Sequence, residues 1–265
     1  MMTNQLVLRL LGSLLGLLIG MAGLAQPVPP HPDNSPPMEN FYKMGVPSVD
    51  SLWTLEEFEK VLKLLRKISG IDKYSLPRQA SPYSGQLFAH LTNKEHMDEL
   101  IDTTLDIRLR IGRLQPSLDL VSSLLNLYVE YSGEEERFGA EFIECYYLII
   151  HFTNNAVLLM REFEAKIGPE AKNKGVQETI NAVQDMHADT VLGLLDILGE
   201  YRDRFDEGLR NQLAQRLTVL LPQYWVQLVG KDQRALLQNI EALQELPLST
   251  TEATSIRTLK VELSK

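Results

Sequence analysis

Two consecutive stretches decide the fold: EEERFGAEFIECYYLIIHFTNNAVLLMREFEAKIG (134–168) and PEAKNKGVQETINAVQDMHADTVLGLLDILGEYRDRF (169–205). In the first, Phe138, Phe142, Cys145, Ile149, Phe152, Ala156, Leu159 and Phe163 recur at alternating steps of four and three. That spacing draws one apolar stripe along a helix, with the period of a bundle seam. Glu134, Glu135 and Glu136 stand where the positive end of a helix dipole favours acids, and Gly168-Pro169 ends the run. A helix over 134–167 is about 50 Å long at ~1.5 Å per residue. Between Cys145 and Met160 only His151, Thr153, Asn154 and Asn155 are clearly polar, so several faces are expected to be buried. The run is too interrupted for a good membrane span.

The second stretch repeats the pattern through Val176, Ile180, Val183, His187, Thr190, Leu194, Ile197 and Tyr201. The short connection between the two predicts an antiparallel hairpin. In that register His187 comes opposite His151 and near Asn154.

Outward from this hairpin, helices are expected on both sides. Thr54 and Glu57 form a capping box before Leu55, Phe58, Val61, Leu62, Leu65 and Ile68, with Gly70 as the stop. Ile71–Leu91 reads as a long loop. Thr92 with Glu95 reads as a second capping box, opening a helix with its acids (Glu95, Asp98, Glu99, Asp102, Asp106) first and its arginines (Arg108, Arg110, Arg113) last, an order the dipole explains. Pro116 is expected to break or kink it. Leu118, Val121, Leu125 and Tyr128, with Leu120, Leu124, Leu127 and Tyr131 beside them, predict a well-buried continuation. Asp206 is expected to cap a helix that Pro222 kinks or ends. Asp232 is expected to cap a last helix with Leu236, Leu237, Ile240 and Leu243 inward, stopped by Pro247. The Ser/Thr-rich tail 248–265 alternates at Leu259, Val261 and Leu263, which fits a short strand or a frayed helix.

The fold class that follows is all-α: an antiparallel bundle of six or seven helices around the central hairpin, over residues 53–247. Residues 1–25 read as a signal peptide: one charge, Arg9, an apolar run from Leu10 to Leu24, and Gly23-Leu24-Ala25 as the cleavage site. Cleavage after Ala25 leaves Gln26 first; an uncleaved membrane anchor is the alternative. The single cysteine, Cys145, excludes both a lipid-attachment Cys at that point and an intramolecular disulfide. Residues 26–52 read as a Pro-rich linker, carrying Pro27, Pro29, Pro30, Pro32, Pro36, Pro37 and Pro47.

The net charge of -9 and the lack of a basic cluster argue against nucleic acid and anionic membranes as partners. The motifs of metal, nucleophilic and phosphate chemistry are missing: no His-Glu-x-x-His, no Cys pair, no Gly-x-Ser-x-Gly in the mature chain, no Gly-rich phosphate loop. Cys145 lies on the apolar seam, where an inert thiol is expected. One constellation remains: His151, His187, Asn154 and Asn155, flanked by Asp185 and Asp189. It reads either as a polar network that fixes helix register or as a ligand or metal site inside the hairpin. The function expected is that of an exported protein, periplasmic or secreted, acting through contacts with a protein partner in a structural or adaptor role. No cofactor and no membrane span in the mature chain are expected. The alternative is a helical ligand- or metal-binding protein.

Overall fold

The computed structural model describes residues 35–129, 138–167 and 174–265; the signal-peptide reading and the first part of the Pro-rich stretch lie outside them. The described residues are all-helical, with helix packed on helix and no strand among them. The α-helices are α1 (Met38–Lys43), α2 (Leu55–Ser69), α3 (Gly85–Leu91), α4 (Ile107–Val129), α5 (Gly139–Lys166), α6 (Lys174–Leu198), α7 (Glu207–Trp225), α8 (Gly230–Gln244) and α9 (Thr250–Leu263). Short 3₁₀ segments cover Lys73–Ser75, Lys94–Leu100 and Arg202–Arg204. The chain divides into two compact units, an N-terminal one ending at Asn155 and a C-terminal one from Ala156 to Lys265.

In the N-terminal unit α2 begins at the expected capping box. The Thr54 side chain accepts from the Glu57 amide (3.2 Å) and Glu57 accepts from the Thr54 amide (2.8 Å). Phe58, Val61, Leu62 and Leu65 are buried where α2 packs on α4. Both apolar faces read from α4 are buried from Leu118 to Tyr128. The seam residues of α5 from Phe138 to Ala156 are buried, and so are Ile143, Tyr146, Tyr147, Leu148 and Ile150 around them. By length and composition α5 is apolar enough to cross a membrane, but most of that window is buried in the protein. Core packing accounts for its apolarity.

In the C-terminal unit α6 packs on α7 and α8, and α9 packs on both α7 and α8. Ile180, Val183, His187, Thr190, Leu194 and Ile197 of α6 are buried, as the stripe requires. Asp206 caps α7, accepting from the Leu209 amide at 2.8 Å.

Several local expectations are corrected. Thr92 is not an N-cap but the C-cap of α3: its hydroxyl bonds back to the Phe88 carbonyl (3.0 Å), and Asn93 caps the 3₁₀ segment through the Glu95 amide (3.1 Å). The acids 95–102 therefore precede α4 and do not populate its first turn. Pro116 lies inside α4, which continues to Val129. The carbonyl that a helical proline leaves unpaired and crowds belongs to the residue four before it, here Gly112. Pro222 lies inside α7, which runs on to Trp225. Val229, not Asp232, stands at the N-cap of α8. Within 35–52, read as linker, Phe41 and Val46 are buried and the Ser35 hydroxyl donates to the Leu76 carbonyl at 2.8 Å. Gly45 turns the chain there at φ +98°, which a side chain would resist. The tail at 248–265 is the helix α9, opened by a capping box of Ser249 and Glu252, with Ile256, Leu259 and Leu263 buried and Val261 exposed. The apolar period there is helical, and the alternating reading fails.

Candidate functional site

His151 and Asn155 are one helical turn apart on α5 and share a face. The 3₁₀ segment Lys94–Leu100 lies against that face and supplies Asp98 and the Met97 carbonyl. His151 Nε2 stands 2.8 Å from Asp98 Oδ1. An ionised carboxylate only accepts, so the ring proton sits on Nε2 and His151 donates. The Asn155 amide donates to the Met97 carbonyl (3.1 Å) and to Asp98 Oδ1 (3.4 Å). Its nitrogen is also 3.2 Å from His151 Nε2, but with both groups acting as donors that approach is a consequence of their common acceptor. Asn154 donates to Asn155 Oδ1 at 3.4 Å. Asn155 is buried, the His151 side chain is 17% exposed and that of Asp98 45%. The network is thus a clip between α5 and a segment more than fifty residues earlier, with one edge open to solvent.

His187 is in the C-terminal unit, fully buried on α6 with its ring edge-on to Tyr224 at 5.9 Å. Burial, and then the Arg161 guanidinium, lower its pKa to about 4, so the folded protein holds it neutral. The structure therefore joins three of the four expected residues, His151, Asn154 and Asn155, to Asp98; His187 has its described surroundings in the other unit. Of the acids flanking it, Asp185 pairs with Lys231 at 2.7 Å and Asp189 has its pKa raised, chiefly by burial. No group of three or more His, Cys, Asp or Glu able to hold a metal occurs among the described residues. Cys145 is a buried free thiol whose pKa burial pushes well up, with Glu141 and Glu144 adding to the effect.

Asp98 was missed in the sequence because a dipole argument accounted for it. The same holds for the buried carboxylates. Glu141 (3% exposed) accepts from the Gln79 amide at 2.8 Å. Glu252 (0% exposed) accepts from Arg210 Nε at 3.1 Å. No spacing rule announces either pair, since their partners are far along the chain.

Two recesses open on the N-terminal unit. One, of about 540 Å³, lies between α2 and α4, with Leu62, Arg66, Pro116 and Asp119 in its wall. The other, of about 320 Å³, shares Leu55, Glu56 and Leu120 with it and is lined further by Trp53, Phe58, His96, Met97, Glu99 and Arg113. Arg113 pairs with Glu99 across this second recess. No protein family, no curated protein and no solved structure matches the chain.

Proposed function

We propose that this is an exported, non-catalytic helical protein that works through contacts with a protein partner in the cell envelope, as a structural or adaptor element. We also propose that its helices form an antiparallel bundle of six or seven members around a hairpin of α5 and α6. The seven residues between Lys166 and Lys174 are of a length that favours such a hairpin.

One observation carries the functional reading: the side chains best suited to chemistry are committed within the fold. His151 is spent on Asp98, His187 is held neutral in the core, and the Cys145 thiol is buried with its pKa raised. A nucleophile or base needs access to its substrate and a pKa matched to its task. The apolar run followed by Gly23-Leu24-Ala25 supports export, and the prolines after it support a spacer. The second reading, a ligand or metal site, has one observation in its favour: the His151–Asp98 pair is open to solvent along one edge.

The test is in-cell crosslinking, purification from the envelope fraction under mild conditions, and weighing of the intact complex by native mass spectrometry. A discrete additional protein mass supports the contact reading. A bare chain carrying metal or a small molecule, lost in His151→Leu, refutes it in favour of the second.

A further inference from the structure

Trp53, at the start of α2, lies within a cluster built from three separate segments of the N-terminal unit. Its ring stands 4.3 Å from that of His90 on α3, 6.2 Å from that of His96 on the Lys94–Leu100 segment and 5.9 Å from that of Phe58 on α2. The two imidazoles are 4.9 Å apart, edge to face, and Phe58 closes on His96 at 5.0 Å. Trp53 is anchored by its indole N–H, which donates to the Ser48 carbonyl at 2.8 Å. Both histidines are 8% exposed.

On balance this box disfavours imidazolium, through burial and the closeness of the two rings. His96 Nε2 lies 3.1 Å from the His90 carbonyl, so it donates there. His90 Nε2 is buried with no hydrogen-bond partner among the described protein atoms, so a proton placed on it has nothing to donate to. Two imidazolium rings at this separation also repel. The charged groups around the adjoining recess are Glu56 of α2, Glu95 and Glu99 of the 3₁₀ segment and Arg113 of α4. Glu56 is turned to Lys60, Glu99 to Arg113, and Glu95 to Asn93. On His96, burial and then the neighbouring His90 imidazole outweigh what favours charge on that ring: its hydrogen bonds to the backbone of His90 and of Trp53, and then the Glu95 carboxylate. Burial lowers the pKa of His90 and takes that of His96 down to about 4.

We propose that Trp53, His90 and His96 form an acid-sensitive latch: protonation of the histidine pair releases the start of α2 from the Lys94–Leu100 segment and opens the recess beside them. The latch stands independently of what the protein binds.

The chain contains two tryptophans, so Trp225→Phe leaves Trp53 as the sole reporter. Its emission is followed from pH 8 to pH 4, with far-UV circular dichroism in parallel. The expected result is a reversible red shift below about pH 6 that precedes any loss of helix. His96→Gln and His90→Gln are each expected to move its midpoint down by about half a unit or more, while His187→Gln leaves it in place. Hydrogen exchange on the unsubstituted protein gives a second, variant-free reading. At pH 5 relative to pH 7, corrected for intrinsic rates, extra exchange is expected in residues 46–58 and 90–100. An emission that stays constant to pH 4, a shift that coincides with loss of helix, or a midpoint unmoved by both latch substitutions overturns the proposal.

Discussion

Replacing Glu252 with leucine tests whether α9 is an integral part of the C-terminal unit. Glu252 is fully buried, and its two oxygens hold three segments together. Oε2 accepts from the Ser249 amide at 2.8 Å and closes the capping box that starts α9. Oε1 accepts from Arg210 Nε of α7 at 3.1 Å, and Arg202 Nη2, from the turn before α7, stands 3.7 Å from Oε2. Arg210 also donates to the Arg202 carbonyl (3.0 Å) and to that of Phe205. Arg202 donates to the Pro247 carbonyl at 2.9 Å. Leucine would leave two guanidinium groups, only 13% and 15% exposed, facing each other without an anion. Removing one side of a buried ion cluster costs roughly 3–5 kcal/mol, and the lost cap adds about 1 kcal/mol. The expected loss is therefore about 5 kcal/mol, which rivals the whole stability of a typical domain at roughly 5–15 kcal/mol. The assay is urea unfolding followed by far-UV circular dichroism, with Ser249→Ala, which removes the cap and the bond to Asn211 but keeps the ion cluster, as the control at about 1–2 kcal/mol. If Glu252→Leu costs no more than Ser249→Ala, the carboxylate is only a cap and the arginines are solvated without it. The account of the C-terminal unit as held by a buried ion cluster would then be wrong.

Three further predictions follow from the buried polar groups. His187 has an ordinary pKa of 6.5 unfolded and about 4 folded, so the unfolded chain takes up a proton first as pH falls; its contribution is intact above pH 6.5 and lost progressively towards pH 4. Between pH 7 and pH 5 this removes about 2 kcal/mol of stability, and His187→Gln should flatten the pH dependence of urea unfolding by that amount; an unchanged slope refutes the assignment. Cys145 should resist iodoacetamide at pH 8 in the native protein and react fully in 6 M guanidinium (a concentration of about 6 M unfolds most domains); labelling at equal rates in both would show that the thiol is not buried. Tyr128, fully buried, donates from its hydroxyl to the Pro77 carbonyl at 2.7 Å. Tyr128→Phe should cost about 1–2 kcal/mol in thermal or urea unfolding, since the carbonyl stays behind in the core; a neutral result would mean that water reaches it.

Periodic features were legible in the sequence, because a helix repeats its own evidence every turn. The α5 and α6 stripes, the α2 capping box, the Asp206 cap and the burial of Cys145 all follow from spacing alone. The errors came from single-residue signals read without their surroundings. Of the break or kink expected at Pro116 the break does not occur: a proline costs a helix one bond and some crowding, and packing on α2 can outweigh that. Thr92 matched a capping-box pattern, but its neighbour Asn93 occupies the cap. At 248–265 the alternation of Leu259, Val261 and Leu263 leaves a short strand open beside a frayed helix, although Ser249-x-x-Glu252 is itself a capping-box pattern and Ile256, Leu259 and Leu263 are at helical spacing. A sequence window sees period, whereas the partner of a buried charge lies outside every window.

That limit bears on what kind of protein this is. With one cysteine the chain has no covalent cross-link, so segments distant in sequence are joined only by packing and by polar bonds. Several described long-range polar bonds tie a helix to a segment outside it. Glu141 accepts from the amide of Gln79, Tyr128 donates to the carbonyl of Pro77, His151 and Asn155 donate to the segment at 97–98, and Glu252 accepts from the start of α9 and from Arg210. Apart from Glu252–Arg210, which joins α9 to α7, a helix here holds a stretch outside the long helices whose polar groups have no long ladder to join. An unmade bond of this kind costs more than a made one contributes, so these residues select one arrangement of loops on an otherwise permissive apolar core. Three of the polar residues that read as a site in the sequence, His151, Asn154 and Asn155, take part in one such clip. The proposed latch at Trp53 differs from these clips in that its two buried imidazoles pack ring against ring beside the indole.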